Sequence, residues 1–251
     1  MIDSRWLGAL ALAGAAAVHA QPLPTAAPES VGMSSERLRR IETFFAGEIE
    51  RNRVPGAVVA IARQGKLVYF KAFGFADKAR GVAATTDTIF QLASMTKPMV
   101  AVGALALTEQ ARLPLQGKLA DYFPAFATMQ VGVPAADGKF TLEAQKRPIL
   151  IHDLFRHTSG LTYGGRPDAG SPIAALWPSG GAASYMGSAA EMTEALTKLP
   201  LVYQPGTVFE YGLSFDVLGA VVEKITGKPL GQSAAIGLPA SGRPPYVRPE
   251  V

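Results

Sequence analysis

No cysteine occurs anywhere in the 251 residues. Its absence excludes a disulfide framework, a thiolate metal site, a cysteine nucleophile and a lipidation site together. Charge is thin as well: 18% of residues are charged, and the formal net charge of +4 comes from scattered Lys and Arg, with no basic run longer than the pair Arg39-Arg40. Such scatter builds no stripe for tracking phosphates, so nucleic acid is not an expected partner. Only three histidines are present, and His152 and His157 stand five residues apart, a poor spacing for two metal ligands on one helical face. Structural roles are expected for both, and no metal. The motifs G-x-S-x-G, H-E-x-x-H, the Walker loop and G-x-G-x-x-G are all missing, and no cofactor is expected.

Long apolar runs are also lacking. The longest, WLGALALAGAAAV after Arg5, holds 13 residues, short of the roughly 20 that span a bilayer. Its last residue begins Val18-His19-Ala20, a small-residue cleavage pattern before Gln21, so residues 1–20 read as a secretory signal peptide. The expected destination is the periplasm or the outside of the cell, with no membrane contact once the signal is removed. The whole chain is 48% hydrophobic, a composition that buries one large core or two small ones.

A Pro-rich linker covers residues 21–33, and Leu38, Ile41, Phe44, Phe45 and Ile49 then recur at helical spacing between Ser34 and about Arg51. Two β-rich runs, AVVAIAR and KLVYFKAFGFA, flank Gln64-Gly65 and predict a tight antiparallel hairpin, the sheet element expected of this chain. Residues 34–93 form the expected α/β part. From 94 to 232 the chain reads as mostly helical, with helices expected over Val100–Ala111, Ile151–His157, Ser188–Leu199 and Ser214–Ile225, the last stopped by Gly227. Residues 233–251 carry Pro, Gly, Ala and Arg without a period and read as an unstructured tail.

SMTK, residues 94–97, carries the candidate chemistry. A serine hydroxyl becomes a nucleophile when a neighbour takes its proton, and a lysine whose pKa is lowered by burial or nearby positive charge can help. Spacing of three places Ser94 and Lys97 on one helical face, and a serine at a helix start has its N–H at the positive end of the dipole. The tetrapeptide alone is a weak signal, since about one S-x-x-K match is expected by chance in a chain of this length. Lys97 neutralising a buried carboxylate is the competing reading.

Three ordered segments sharpen it. TIFQLASMTKPMVAVGALALTEQ, ILIHDLFRHTSGLTYG and PGTVFEYGLSFDVLGAVVEKITGKPLG resemble, in that order, the nucleophile region, the L-L-x-H-T-S-G-L segment and the second-motif region of the serine β-lactamase and penicillin-binding superfamily, especially class C β-lactamases and family VIII carboxylesterases. The resemblance implies an α+β, β-lactamase-like fold: an antiparallel sheet flanked by helices plus a mostly helical domain. It implies Ser94 as acylated nucleophile, Lys97 as its proton partner and Tyr211 as second base, acting on small esters or β-lactam-like substrates through an acyl-enzyme. Two departures qualify this. Tyr211-Gly212-Leu213 stands where class C enzymes have Tyr-x-Asn or Tyr-x-Ser, which leans the substrate toward simple esters. The third motif of K-T-G, H-x-G or W-x-G type and the C-terminal sheet strands are missing, so the domain at 34–232 is expected to be a truncated or frameshifted member. An inactive fragment with residual ligand binding is the alternative to a serine hydrolase.

Overall fold

The computed structural model describes residues 23–135, 139–164, 173–178 and 187–232. The expected signal segment and C-terminal tail lie outside the described residues. The described chain divides into two compact units, between Phe90 and Gln91.

In the first unit, Ser34 caps α1 (Ser35–Glu50), its side chain accepting from the Arg37 N–H at 3.2 Å. Leu38 is buried, and Phe45 lays its ring on Phe73 of the sheet, centroids 5.2 Å apart. Phe44 departs from the expected stripe and is 58% exposed. At roughly 100° per residue it lies about 120° around the helix from Leu38, whereas Ile41, Phe45 and Ile49 stay close to the buried line. Strands β1 (Gly56–Arg63) and β2 (Lys66–Asp77) pair antiparallel, with Arg63 opposite Lys66 across the turn. Gln64 and Gly65 take φ of 53° and 69°, the two left-handed residues of a tight hairpin turn. A short β3 (Val82–Ala83) extends the sheet in the order β1-β2-β3, so the expectation of a hairpin alone is corrected. Two residues after a glycine turn carry too little alternation to be read as a strand.

The second unit is built around α5 (Ser214–Thr226), which packs against α2 (Thr96–Glu109), α3 (Ile151–Phe155) and α4 (Ala189–Leu196). Val217, Leu218, Val221 and Val222 of α5 meet Val100, Ala104 and Leu107 of α2, all buried in one core with Phe126, Leu154 and Trp177. Pro98 sits in the first turn of α2, where its missing N–H leaves no bond unmade. The helix ends before Ala111, whose φ of 56° is left-handed. Ser188 and Glu191 form a reciprocal capping box on α4, and Gly227, φ 67°, closes α5.

A second hairpin, β4 (Gln130–Pro134) with β5 (Phe140–Ala144), was not expected from the sequence. Leu201 joins its edge, donating its N–H to Gln130 O and accepting from Gly132 N–H, both at 2.8 Å. Helix α2 is apolar on both sides: its inner face is buried, while Val102 on the other is 64% exposed. Among the described residues, no helix is long and apolar enough to cross a membrane.

Candidate active site

Ser94 lies in a 3-10 turn, Ala93–Met95, that leads into α2 and places Lys97 one turn further along. Ala93 holds a φ of 46°, a left-handed conformation that costs a residue with a Cβ about 1–2 kcal/mol. Ser94, the next residue, is met by the chain that enters α5.

That entering chain carries Tyr211. Its hydroxyl donates to Ser94 Oγ at 2.6 Å, and Lys97 Nζ donates to the same oxygen at 3.2 Å. The three residues expected from the sequence therefore meet at one atom. Lys97 Nζ also donates to Tyr163 OH at 3.0 Å and lies 4.8 Å from the centroid of the Tyr211 ring. Tyr163 was missed by sequence reasoning. It falls within the quoted HTSGLTY segment, but 66 residues separate it from Lys97 and no local spacing links the two.

A strap of hydrogen bonds fixes both tyrosines. Asp153 on α3 accepts two bonds from the Arg147 guanidinium, at 2.7 and 2.8 Å, one from the Leu150 N–H at 2.8 Å and one from Thr158 Oγ1 at 3.0 Å. Beyond Thr158 the Ser159 hydroxyl shares a 2.9 Å bond with Ser214 of α5, and Thr162 Oγ1 donates to Glu210 at 2.7 Å. Backbone bonds join these segments too: the Glu210 N–H donates to His157 O at 2.7 Å, and the Val202 N–H, from the stretch after α4, donates to Gly160 O at 2.9 Å. Ser159 is thus a structural serine, buried and paired, and the HTSG stretch holds Tyr163 and Tyr211 at a fixed separation.

Gly212 sits where the two segments touch. A Cβ there would stand 2.6 Å from the Thr162 Cα and 2.7 Å from the Leu161 carbonyl oxygen, backbone atoms that cannot swing aside. Gly212→Ala is expected to push Tyr211 off Ser94. A misplacement of about 1 Å costs on the order of 10² in rate, so labelling of Ser94 by a hydroxyl-reactive fluorophosphonate should slow to that extent while circular dichroism stays near wild type.

Leu213 and Ser214 are both fully buried. Leu213 enters the core, so neither its side chain nor the hydroxyl one place later reaches a substrate beside Ser94. A polar hold on an acyl side chain is absent at this position for a packing reason. His157, given a structural role from the sequence, is buried against Tyr211, ring centroids 4.7 Å apart, and its Nδ1 accepts the Gly212 N–H at 3.3 Å. Burial, assisted by the Lys97 charge, lowers its pKa and keeps the imidazole neutral.

Partial burial works against the Lys97 charge, but hydrogen bonding to Tyr163 and Tyr211 outweighs this and its pKa lies above the ordinary lysine value. Among the described residues its hydrogen bonds go to hydroxyls rather than to a carboxylate. Tyr211 shifts the opposite way, its pKa lowered first by the bond to Ser94 and then by Lys97. Asp216, in the first turn of α5, has its pKa raised by burial against the pull of Lys97, and its Oδ2 has no hydrogen-bond partner among the described residues.

Comparison with known proteins places this geometry in a class. Residues 41–235 match the family described as Beta-lactamase, and the chain belongs to that family, with its α+β, β-lactamase-like fold. It is 37% identical over 191 residues to Esterase EstB of Burkholderia gladioli, covering 76% of this chain and 46% of that protein. It is 33% identical over 194 residues to Lovastatin esterase of Penicillium rubens, covering 74% of this chain and 47% of the other. Among solved structures, EstCE1, a hydrolase with promiscuous acyltransferase activity, superposes with a TM-score of 0.62 at 31% identity over 78% of this chain and 49% of its own. The chain spans about half the length of the curated relatives it matches.

Proposed function

We propose that the chain carries the acylation site of a serine hydrolase that cleaves small esters through an acyl-enzyme. The observation that carries this reading is the convergence of Tyr211 OH and Lys97 Nζ on Ser94 Oγ, at 2.6 and 3.2 Å. Two relatives, Esterase EstB and Lovastatin esterase, support the substrate class. In the proposed cycle Tyr211 ionises, the 2.6 Å bond reverses, and Ser94 passes its proton to the phenolate as Oγ attacks the acyl carbon. The ester C–O bond then breaks, and the leaving alkoxide takes the proton from Tyr211. Water attacks the acyl-enzyme, giving its proton to Tyr211, and Ser94 recovers a proton as the acid departs. Lys97 stays charged throughout and stabilises the phenolate.

The pH dependence follows from the two shifts. Phenolate is the active form, so acylation rises with pH through a Tyr211 pKa below the ordinary tyrosine value. It falls again when Lys97 deprotonates, above the ordinary lysine range. The test is peptide mass spectrometry after reaction with an activated short-chain ester or a fluorophosphonate, across pH. An adduct on Ser94 whose formation rises through that depressed pKa supports the reading; an adduct elsewhere, or none, overturns it. We further propose that residues 1–20 direct export, tested by the mass of the mature N-terminus.

A further inference from the structure

Lys97 has more contacts than the proposed cycle uses. Beyond Ser94 and Tyr211, its ammonium donates at 3.0 Å to Tyr163, whose ring stands 67° to the Tyr211 ring with centroids 5.7 Å apart. The cation lies over both rings, 5.5 Å from Tyr163 and 4.8 Å from Tyr211. We propose that Tyr163 is a positioning residue for acylation: its hydroxyl clamps Lys97 Nζ through a bond separate from that to Ser94, so that the ammonium stays on the Ser94–Tyr211 pair. The inference rests on the Ser94 acylation reading and names a member of that site which the Ser-x-x-Lys and Tyr motifs do not contain.

Three observations carry it. A lysine ammonium has three N–H donors on a flexible stem, and one bond to Ser94 Oγ would leave it free to swing into water. Tyr163 removes that freedom, and its own position is built in. Gly160, with φ of 84°, is packed so closely on the Tyr203 carbonyl that a Cβ has no room, and Gly164, with φ of 68°, is packed in the same way on Trp177. Thr162, next to Tyr163, is tied to Glu210 at 2.7 Å and accepts the Gly164 N–H at 3.3 Å. The phenol also acts as acceptor toward Lys97, leaving its single O–H to donate elsewhere. Among the described residues, four titratable groups face Lys97: Tyr163 from the strap, His157 just after α3, Tyr211 before α5 and Asp216 on α5. His157 is held neutral by burial, so the two phenols and Asp216 set the field around the ammonium.

Tyr163→Phe keeps the ring and deletes only the clamp. The whole chain and this variant are compared by competitive acetylation of Lys97 against pH, read by mass spectrometry, and by the rate of Ser94 labelling with a fluorophosphonate. Two changes are expected in the variant: Lys97 becomes reactive at lower pH, and Ser94 labelling slows about tenfold, the usual scale for one bond to a charged group, with the alkaline limb of its pH profile moved the same way. A folded variant whose Lys97 titrates as in wild type overturns the proposal, as does slower labelling with an unmoved alkaline limb, which marks a structural effect only. If Ser94 is not labelled in wild type, the acylation reading falls, and the Lys97 titration still decides whether Tyr163 holds the ammonium.

Discussion

Ser94→Ala is expected to lower short-chain ester cleavage by at least about 10⁴-fold, the scale seen when a covalent nucleophile is removed from a working constellation. The argument is geometric. Both Tyr211 OH and Lys97 Nζ aim their bonds at Ser94 Oγ, and deleting that atom leaves a phenol and an ammonium with nothing to activate. Tyr211→Phe should cost less, on the order of 10²–10⁴-fold, because Ser94 and the charge of Lys97 remain while the proton carrier is lost. The pair does not add: with Ser94 gone, removing the Tyr211 hydroxyl has no further effect. Initial rates with a chromogenic acetate or butyrate ester measure this, and a Ser94→Ala rate within tenfold of wild type would sink the assignment.

The largest stability effect is expected at Asp153. The residue is fully buried, and its carboxylate is met by Arg147, the Leu150 N–H and Thr158. Burial pushes its pKa up, but these bonds outweigh burial and hold it below the ordinary carboxylate value. Removing one partner of such a buried pair is strongly destabilising, and since Arg147 itself reaches solvent the low end applies: Asp153→Asn should cost about 3 kcal/mol. In a chain of this size that lowers Tm by about 6–12 °C. The sign with pH is fixed by the lowered folded pKa: the stabilisation is complete above the unfolded carboxylate pKa of about 3.9 and is lost as pH falls through the folded value. Thermal melts of wild type and variant should therefore converge in acid. An Asp153→Asn melt equal to wild type at neutral pH would show that the strap does not depend on this ion pair.

How much of this was legible in the sequence depends on distance along the chain. Ser94 and Lys97 could be paired because their relation is one helical turn, and Ser34, Ser188 and Gly227 announced helix ends through local chemistry. Gln64-Gly65 fixed its hairpin for the same reason. Tyr211 was reached only through resemblance, since nothing local ties it to a serine 117 positions earlier. Tyr163 was not reached at all: its role depends on Gly160 and Gly164 turning the chain and on Thr162 finding Glu210. The β4–β5 hairpin was passed over because five-residue strands among Pro and Gly give a weak period, and its third edge comes from Leu201 far downstream. The two phenols that hold the Lys97 pKa above its ordinary value lie 66 and 114 positions away and could not be placed beside it from local spacing.

The Ser94–Lys97 contact spans three residues, whereas the Ser94–Tyr211 contact spans 117. The first forms as soon as α2 does; the second closes one of the longest loops in its unit and waits for α5 to dock. The site therefore has a local half and a topological half. Reactivity of Ser94 during refolding is expected to report the docking of α5, which a probe of helix content alone does not distinguish.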